Sequence, residues 1–139
     1  MRKLSDLVRD RNPLLLEPEL SVRDAAKRMR DNRAGAALIV AADGTLRGIF
    51  TRGDALRRVL AESRDPSATR LDEVMTADLR TVPPRTNVIE ALRVMRDLGC
   101  RHLPVVDRDK KVVGLVFRGD FRGRELDRIE EEEELWERI

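Results

Sequence analysis

The feature that most constrains this chain is that it repeats. Shifted by 66 residues along its 139-residue length, Asp6 falls on Asp72, Val8 on Val74, Pro18 on Pro84, Val22 on Val88 and Ala25 on Ala91. Met29-Arg30-Asp31 then falls on Met95-Arg96-Asp97, Val40 on Val106, Gly48 on Gly114, and Arg52-Gly53-Asp54 on Arg118-Gly119-Asp120. No gap is needed. A period of this length present twice means two copies of one supersecondary unit. Each copy alone is too small to bury a good core, so the two are expected to share one.

Each copy reads as strand, helix, strand, strand, helix. A short apolar segment, Leu14-Leu15-Leu16 or Thr81-Val82, is stopped by Pro18 or by Pro83-Pro84, since proline lacks the ladder donor. Ser21 and Asn87 are N-caps in waiting. The helices that follow carry Val22, Ala25, Ala26 and Met29, or Val88, Ala91, Leu92 and Met95, at the spacing of one buried face. Strands follow at Ala36–Val40 and Leu46–Thr51, and again at His102–Val106 and Val112–Phe117. The first pair is joined by Ala42-Asp43-Gly44, a hairpin signal. A final helix begins near Arg52 or Arg118. The organisation is therefore an α/β (α+β) pair: repeat 1 at 4–62, a linker at 63–70, repeat 2 at 71–126, and a helical tail at 127–139 carrying Trp136. The sheets are expected to pack face to face with pseudo-twofold symmetry, which would set equivalent loops around shared clefts, where ligands bind.

Composition narrows the function classes. The chain is 41% hydrophobic, 39% charged and only 3% aromatic, so its core is aliphatic. No apolar run approaches a membrane span, the first residues do not form a signal peptide, and the single cysteine excludes an internal disulfide framework. A cytoplasmic protein is expected. With 28 basic and 26 acidic residues the charge is nearly balanced, and no basic stripe with interleaved aromatics points to nucleic acid. Cys100 and His102 lack the companions a metal site needs. No catalytic constellation can be assembled, so an enzyme is not expected.

The stretch richest in chemistry is Gly48-Ile49-Phe50-Thr51-Arg52-Gly53-Asp54, which runs from a strand into a helix N-terminus. Free amides and the helix dipole there favour an anion, the Thr51 hydroxyl can donate to a phosphate, and the Asp54 carboxylate suits the paired hydroxyls of a ribose. The same residues also spell a capping box, with Thr51 as N-cap and Asp54 reaching back. The second copy keeps Asp120 but has Phe117 where Thr51 stands.

Taken with Val74-Met75-Thr76, Thr81-Val82-Pro83-Pro84 and Arg101-His102-Leu103-Pro104-Val105-Val106-Asp107, this motif resembles that of a tandem pair of CBS domains, the Bateman module, over about residues 4 to 126. The resemblance implies a regulatory sensor of AMP, ADP, ATP or S-adenosylmethionine, commonly dimeric, that signals occupancy to an effector protein. By match it implies a nucleotide site of Thr51, Arg52, Gly53 and Asp54, with Met75, Thr76, Cys100, Arg101, His102 and Leu103. A weaker second site would use Arg118, Gly119 and Asp120 with Gly35, Ala36 and Ala37.

Three departures matter. Phe117 replaces the expected hydroxyl, Ala36 stands where the other copy has His102, and Leu38 stands where it has Pro104. Phe117 counts against the Asp120 cleft, so one occupied site is expected, at Asp54, while Ala36 weakens the hold on multiply charged phosphates there. Phe117 and Ala36 together motivate the alternative of a ligand-free structural module that only dimerises. The tail, with Leu126, Ile129, Trp136 and Ile139 on one face, would pack on its own domain or on a dimer partner.

Overall fold

The computed structural model describes residues 2–120 and Leu135. The helical tail expected at 127–139 lies, apart from Leu135, outside the described residues. The rest forms two compact units, which do not follow the repeats: residues 12–79 with 109–112, and residues 2–11 with 80–108 and 113–120.

The first unit holds β1 (Leu15–Leu16), α1 (Val22–Asp31), β2 (Ala36–Val40) and β3 (Leu46–Thr51). They are followed by α2 (Arg52–Asp54), which continues as a π-helical segment over Ala55–Leu60, and by a short α3 (Leu71–Val74). β1 pairs in parallel with β2, and β2 antiparallel with β3, in the order β1-β2-β3. Ser21 caps α1 by accepting from the Asp24 amide at 3.1 Å. Val22, Ala25 and Met29 are buried against Leu16, Ala37, Ile39, Phe50 and Val59. Segment 63–70 is tied down: Thr69 is buried, its carbonyl accepts from Val22 N–H, and Pro66 C=O accepts from Arg23 N–H.

The second unit holds α4 (Val88–Leu98), β4 (His102–Val106) and β5 (Val112–Phe117), ending in a 3₁₀ turn at Arg118–Asp120. Asn87 caps α4 through the Glu90 amide at 2.9 Å. Here the sheet has two strands, and Val82 makes only a single parallel bridge to Val105. The cause is one residue. In the first copy Leu38 N–H donates to Leu14 C=O. Its counterpart, Pro104, has no N–H to give, so the third strand is reduced to that bridge.

The short helix that opens each repeat folds with the other copy. The helix α0 (Leu4–Val8) sits in the second unit, where Leu4 and Val8 join Val88, Leu92, Met95 and Leu103 in the core. Its first amides donate to Thr86 and Pro84 carbonyls at 2.9 and 3.0 Å. Correspondingly, Leu71 and Val74 of α3 complete the first core, with Leu71 and Asp72 amides on Leu20 and Pro18 carbonyls. The unit that repeats in sequence and the unit that packs differ by this exchange.

Candidate ligand site

β3 delivers Thr51 to the start of α2, and the capping box is formed in full. Thr51 N–H and Oγ1 both donate to Asp54 Oδ2, at 2.9 and 3.1 Å, and the Asp54 amide donates back to Thr51 Oγ1 at 3.2 Å. The Arg52 amide donates to Gly35 C=O at 3.1 Å. These bonds leave the Gly53 amide as the first-turn donor they do not engage.

Asp54 is 3% exposed, and its two oxygens are held differently. Oδ2 is fixed by the cap. Oδ1 has looser company: Thr76 Oγ1 at 3.4 Å, and Arg57 Nη2 and Arg58 Nε each at 3.8 Å. One oxygen is thus structural, and the other can change partners at small cost.

Thr76 reaches this carboxylate because α3 docks close to β3. Ile49 and Thr76 exchange two backbone hydrogen bonds of 2.9 Å, and Arg58 Nη1 donates to Met75 C=O at 2.9 Å. Gly48 permits the approach: a Cβ there would lie 2.7 Å from Met75 Sδ and 2.8 Å from the Thr76 carbonyl. Gly114 does the same in the second unit, where a Cβ would meet Val8 Cβ at 2.5 Å. The repeated glycine of the motif is a docking seat for the opening helix.

In the second unit Phe117 N–H donates to Asp120 Oδ2 at 2.8 Å, which keeps half of the capping box. Arg11 Nη1 lies 2.6 Å from the same oxygen. The Phe117 ring meets His102 edge-on, with centroids 5.3 Å apart. Arg118 N–H donates to Arg101 C=O, the counterpart of the Arg52–Gly35 bond. Burial pushes the Cys100 thiol above its ordinary value, with Arg118 opposing.

Of the expected site residues, Thr51, Arg52, Gly53, Asp54, Met75 and Thr76 come together in the first unit. Gly35, Ala36 and Ala37, expected beside Asp120, belong to this unit too: Ala36 pairs with Thr51, and Ala37 with Phe50. Cys100, Arg101, His102 and Leu103 belong to the second unit with Arg118, Gly119 and Asp120. Within each unit, then, the motif is flanked by the strand entry of its own copy. Sequence reasoning missed Arg11, Arg57 and Arg58. Only Arg58, which repeats as Arg124, carried a signal.

Comparison with known proteins agrees with this architecture. A family model described as the CBS domain matches residues 4–61 and again 71–126. The chain belongs to the CBS-domain family, as a tandem pair. It is 36% identical over 104 residues to the mitochondrial CBS domain-containing protein CBSX3 of Arabidopsis thaliana, covering 72% of this chain and 50% of that protein. It is 32% identical over 106 residues to the CBS domain-containing protein YhcV of Bacillus subtilis, covering 76% and 74%. The chain thus spans half the length of the Arabidopsis relative. Among solved structures, a putative signal-transduction protein with CBS domains from Burkholderia ambifaria superposes with a TM-score of 0.77 at 32% identity, covering 85% of this chain and 89% of that one. The CBS domain pair of protein MJ0100, solved with 5′-methylthioadenosine and S-adenosyl-L-methionine, superposes at 0.74 with 26% identity, covering 85% and 94%. No helix among the described residues is long and apolar enough to cross a membrane.

Proposed function

We propose that this CBS pair is a non-catalytic regulatory module that binds an adenosyl ligand (AMP, ADP, ATP or S-adenosylmethionine) at Asp54. The observation that carries the reading is the divided carboxylate: Oδ2 anchored by Thr51, Oδ1 offered beside Thr76. A ribose diol would bond to Oδ1 and replace the long Arg57 and Arg58 contacts. Those arginines and the Gly53 amide would then meet the phosphate or the carboxylate of the ligand. The adenosyl ligands of the MJ0100 pair support the ligand class. Met75 borders the same place; Cys100, Arg101, His102 and Leu103, which the family resemblance implies as contacts, belong to the second unit. A cytoplasmic homodimer acting on an effector protein completes the reading.

Thermal unfolding with each of the four ligands tests it. A ligand at about one hundred times its Kd adds about 2.7 kcal/mol, a rise of several degrees for a chain of this size. Asp54→Asn keeps the cap and removes the charge, so it should fold and lose the shift. No shift with any of the four ligands in the wild-type chain overturns the proposal. The second copy supports a different reading for its own site. Asp120 is occupied by Arg11, and Phe117 stands at the hydroxyl position, so this half is structural.

A further inference from the structure

A cavity of about 460 Å³ lies between the last turn of α1 and the start of α2, wholly within the first unit. Its walls are apolar: Ala26, Met29 and Phe50. Its rim is cationic, with Arg30, Arg33 and Arg52, and none of its lining residues is acidic. Arg30 is partly offset by Asp31, its Nε lying 3.0 Å from Oδ1. Arg33 and Arg52 make no ion pair among the described residues.

Two details show that these arginines are placed. The Arg52 guanidinium lies against Gly35, where a Cβ would come within 2.5 Å of Nη2. Arg33 holds a φ of +53° at the end of α1, in the left-handed region. Its counterpart in the second copy is Gly99, at +64°. A residue with a side chain pays for that conformation, as Ser63 and Lys110 also do elsewhere in this unit; at Arg33 it is accepted where the second copy uses glycine. The chain accepts it here and so keeps a positive charge at the cavity mouth.

We propose that this cavity binds a small organic anion with an apolar body, a carboxylate or sulfonate on an aromatic or aliphatic frame. The walls take the apolar part by burial, and the arginines take the anionic head through charge-assisted hydrogen bonds. No carboxylate is present to hold a ribose, which separates this ligand class from nucleosides. The site shares Arg52 and Gly35 with the residues considered above but does not rest on the nucleotide reading.

Anilinonaphthalene sulfonate, an aromatic sulfonate that fluoresces when bound, is the probe. Titration of the folded full chain should saturate at one site. Arg33→Gln should weaken binding about tenfold, the equivalent of one charge-assisted contact. Ala26→Leu, on the exposed side of α1, should fill the mouth and abolish binding. Arg33→Gly is the most telling variant: its melting temperature should rise as the strain is relieved, while its affinity falls. Binding should persist in Asp54→Asn, which alters the nucleotide site and leaves the cavity's arginines in place, so this proposal and the nucleotide reading can fail separately. Dye binding that does not saturate, or that is unchanged in all three cavity variants, overturns the proposal.

Discussion

Asp54 and Asp120 occupy the same place in two copies of one unit, yet each has a different neighbour across from it. Thr76 follows α3 and donates one long hydrogen bond to Asp54, whereas Arg11 follows α0 and brings a full charge to Asp120 at 2.6 Å. A carboxylate with a guanidinium already on it offers less to an incoming hydroxyl pair. Arg11→Ala should therefore have two effects. The pair is partly solvent-exposed, so the loss of stability, read by denaturant titration, should be about 1 kcal/mol, below the full value of a buried charged contact. Calorimetry with the adenosyl ligand that binds at Asp54 should also show the stoichiometry rising from one site towards two. A stoichiometry fixed at one would mean that Phe117, not Arg11, closes the second copy.

At the scale of elements, the motif glycine predicts a penalty of a particular kind. Gly48→Ala brings a methyl against Met75 Sδ and the backbone oxygen of Thr76. The sulfur can swing aside, but the carbonyl is held by the Ile49 amide. The expected cost is about 1–3 kcal/mol, as for other overpacking, and Thr76 should move away from Asp54. The hairpin between β2 and β3 carries a pH dependence. The Thr45 amide first, then its hydroxyl, hold the Asp43 carboxyl below its ordinary value. A carboxyl lowered on folding contributes stability above its ordinary pKa of about 4, and that contribution is lost as the pH falls through the lowered value. Asp43→Asn should thus lose less thermal stability than the wild type on acidification from about pH 5.

Much at this scale was legible in the sequence. Ser21 and Asn87 cap as their residue types require, and the capping box at Thr51 forms as the Thr-x-x-Asp spacing predicts. The strand lost at Thr81-Val82 was not legible. Its absence depends on a missing amide at Pro104, whose partner is some twenty residues away. Arg11 on Asp120 was not legible either, because no local pattern ties residues 109 positions apart.

For the whole molecule, the exchange of opening helices escaped the sequence for a definite reason. Leu4 and Val8 of α0 and Leu71 and Val74 of α3 each present one leucine and one valine, so apolar character alone does not assign either helix to a core. The repeat reveals that each unit needs such a helix, not which copy supplies it. The exchange is testable by hydrogen exchange. Leu4 is fully buried, and Leu→Ala at such a site costs about 2–5 kcal/mol. Leu4→Ala should lower protection in β4 and β5 more than in β2 and β3, although it lies in the first sequence repeat. Leu71→Ala should do the reverse. Equal loss in both sheets for either variant would contradict the assignment of the helices.

The exchange also sets an order of assembly during synthesis. The main segment of the first unit is made in one stretch, from Asn12 to Leu79, and lacks only residues 109–112. Helix α0 has the opposite history. It is made before the first unit's main segment, but β5, part of the core it serves, ends only at Phe117. At roughly 5–20 residues per second, Leu4 and Val8 wait on the order of 5–20 s on the nascent chain for that core to be complete. During this interval they are apolar surface open to a chaperone or to a neighbouring nascent chain.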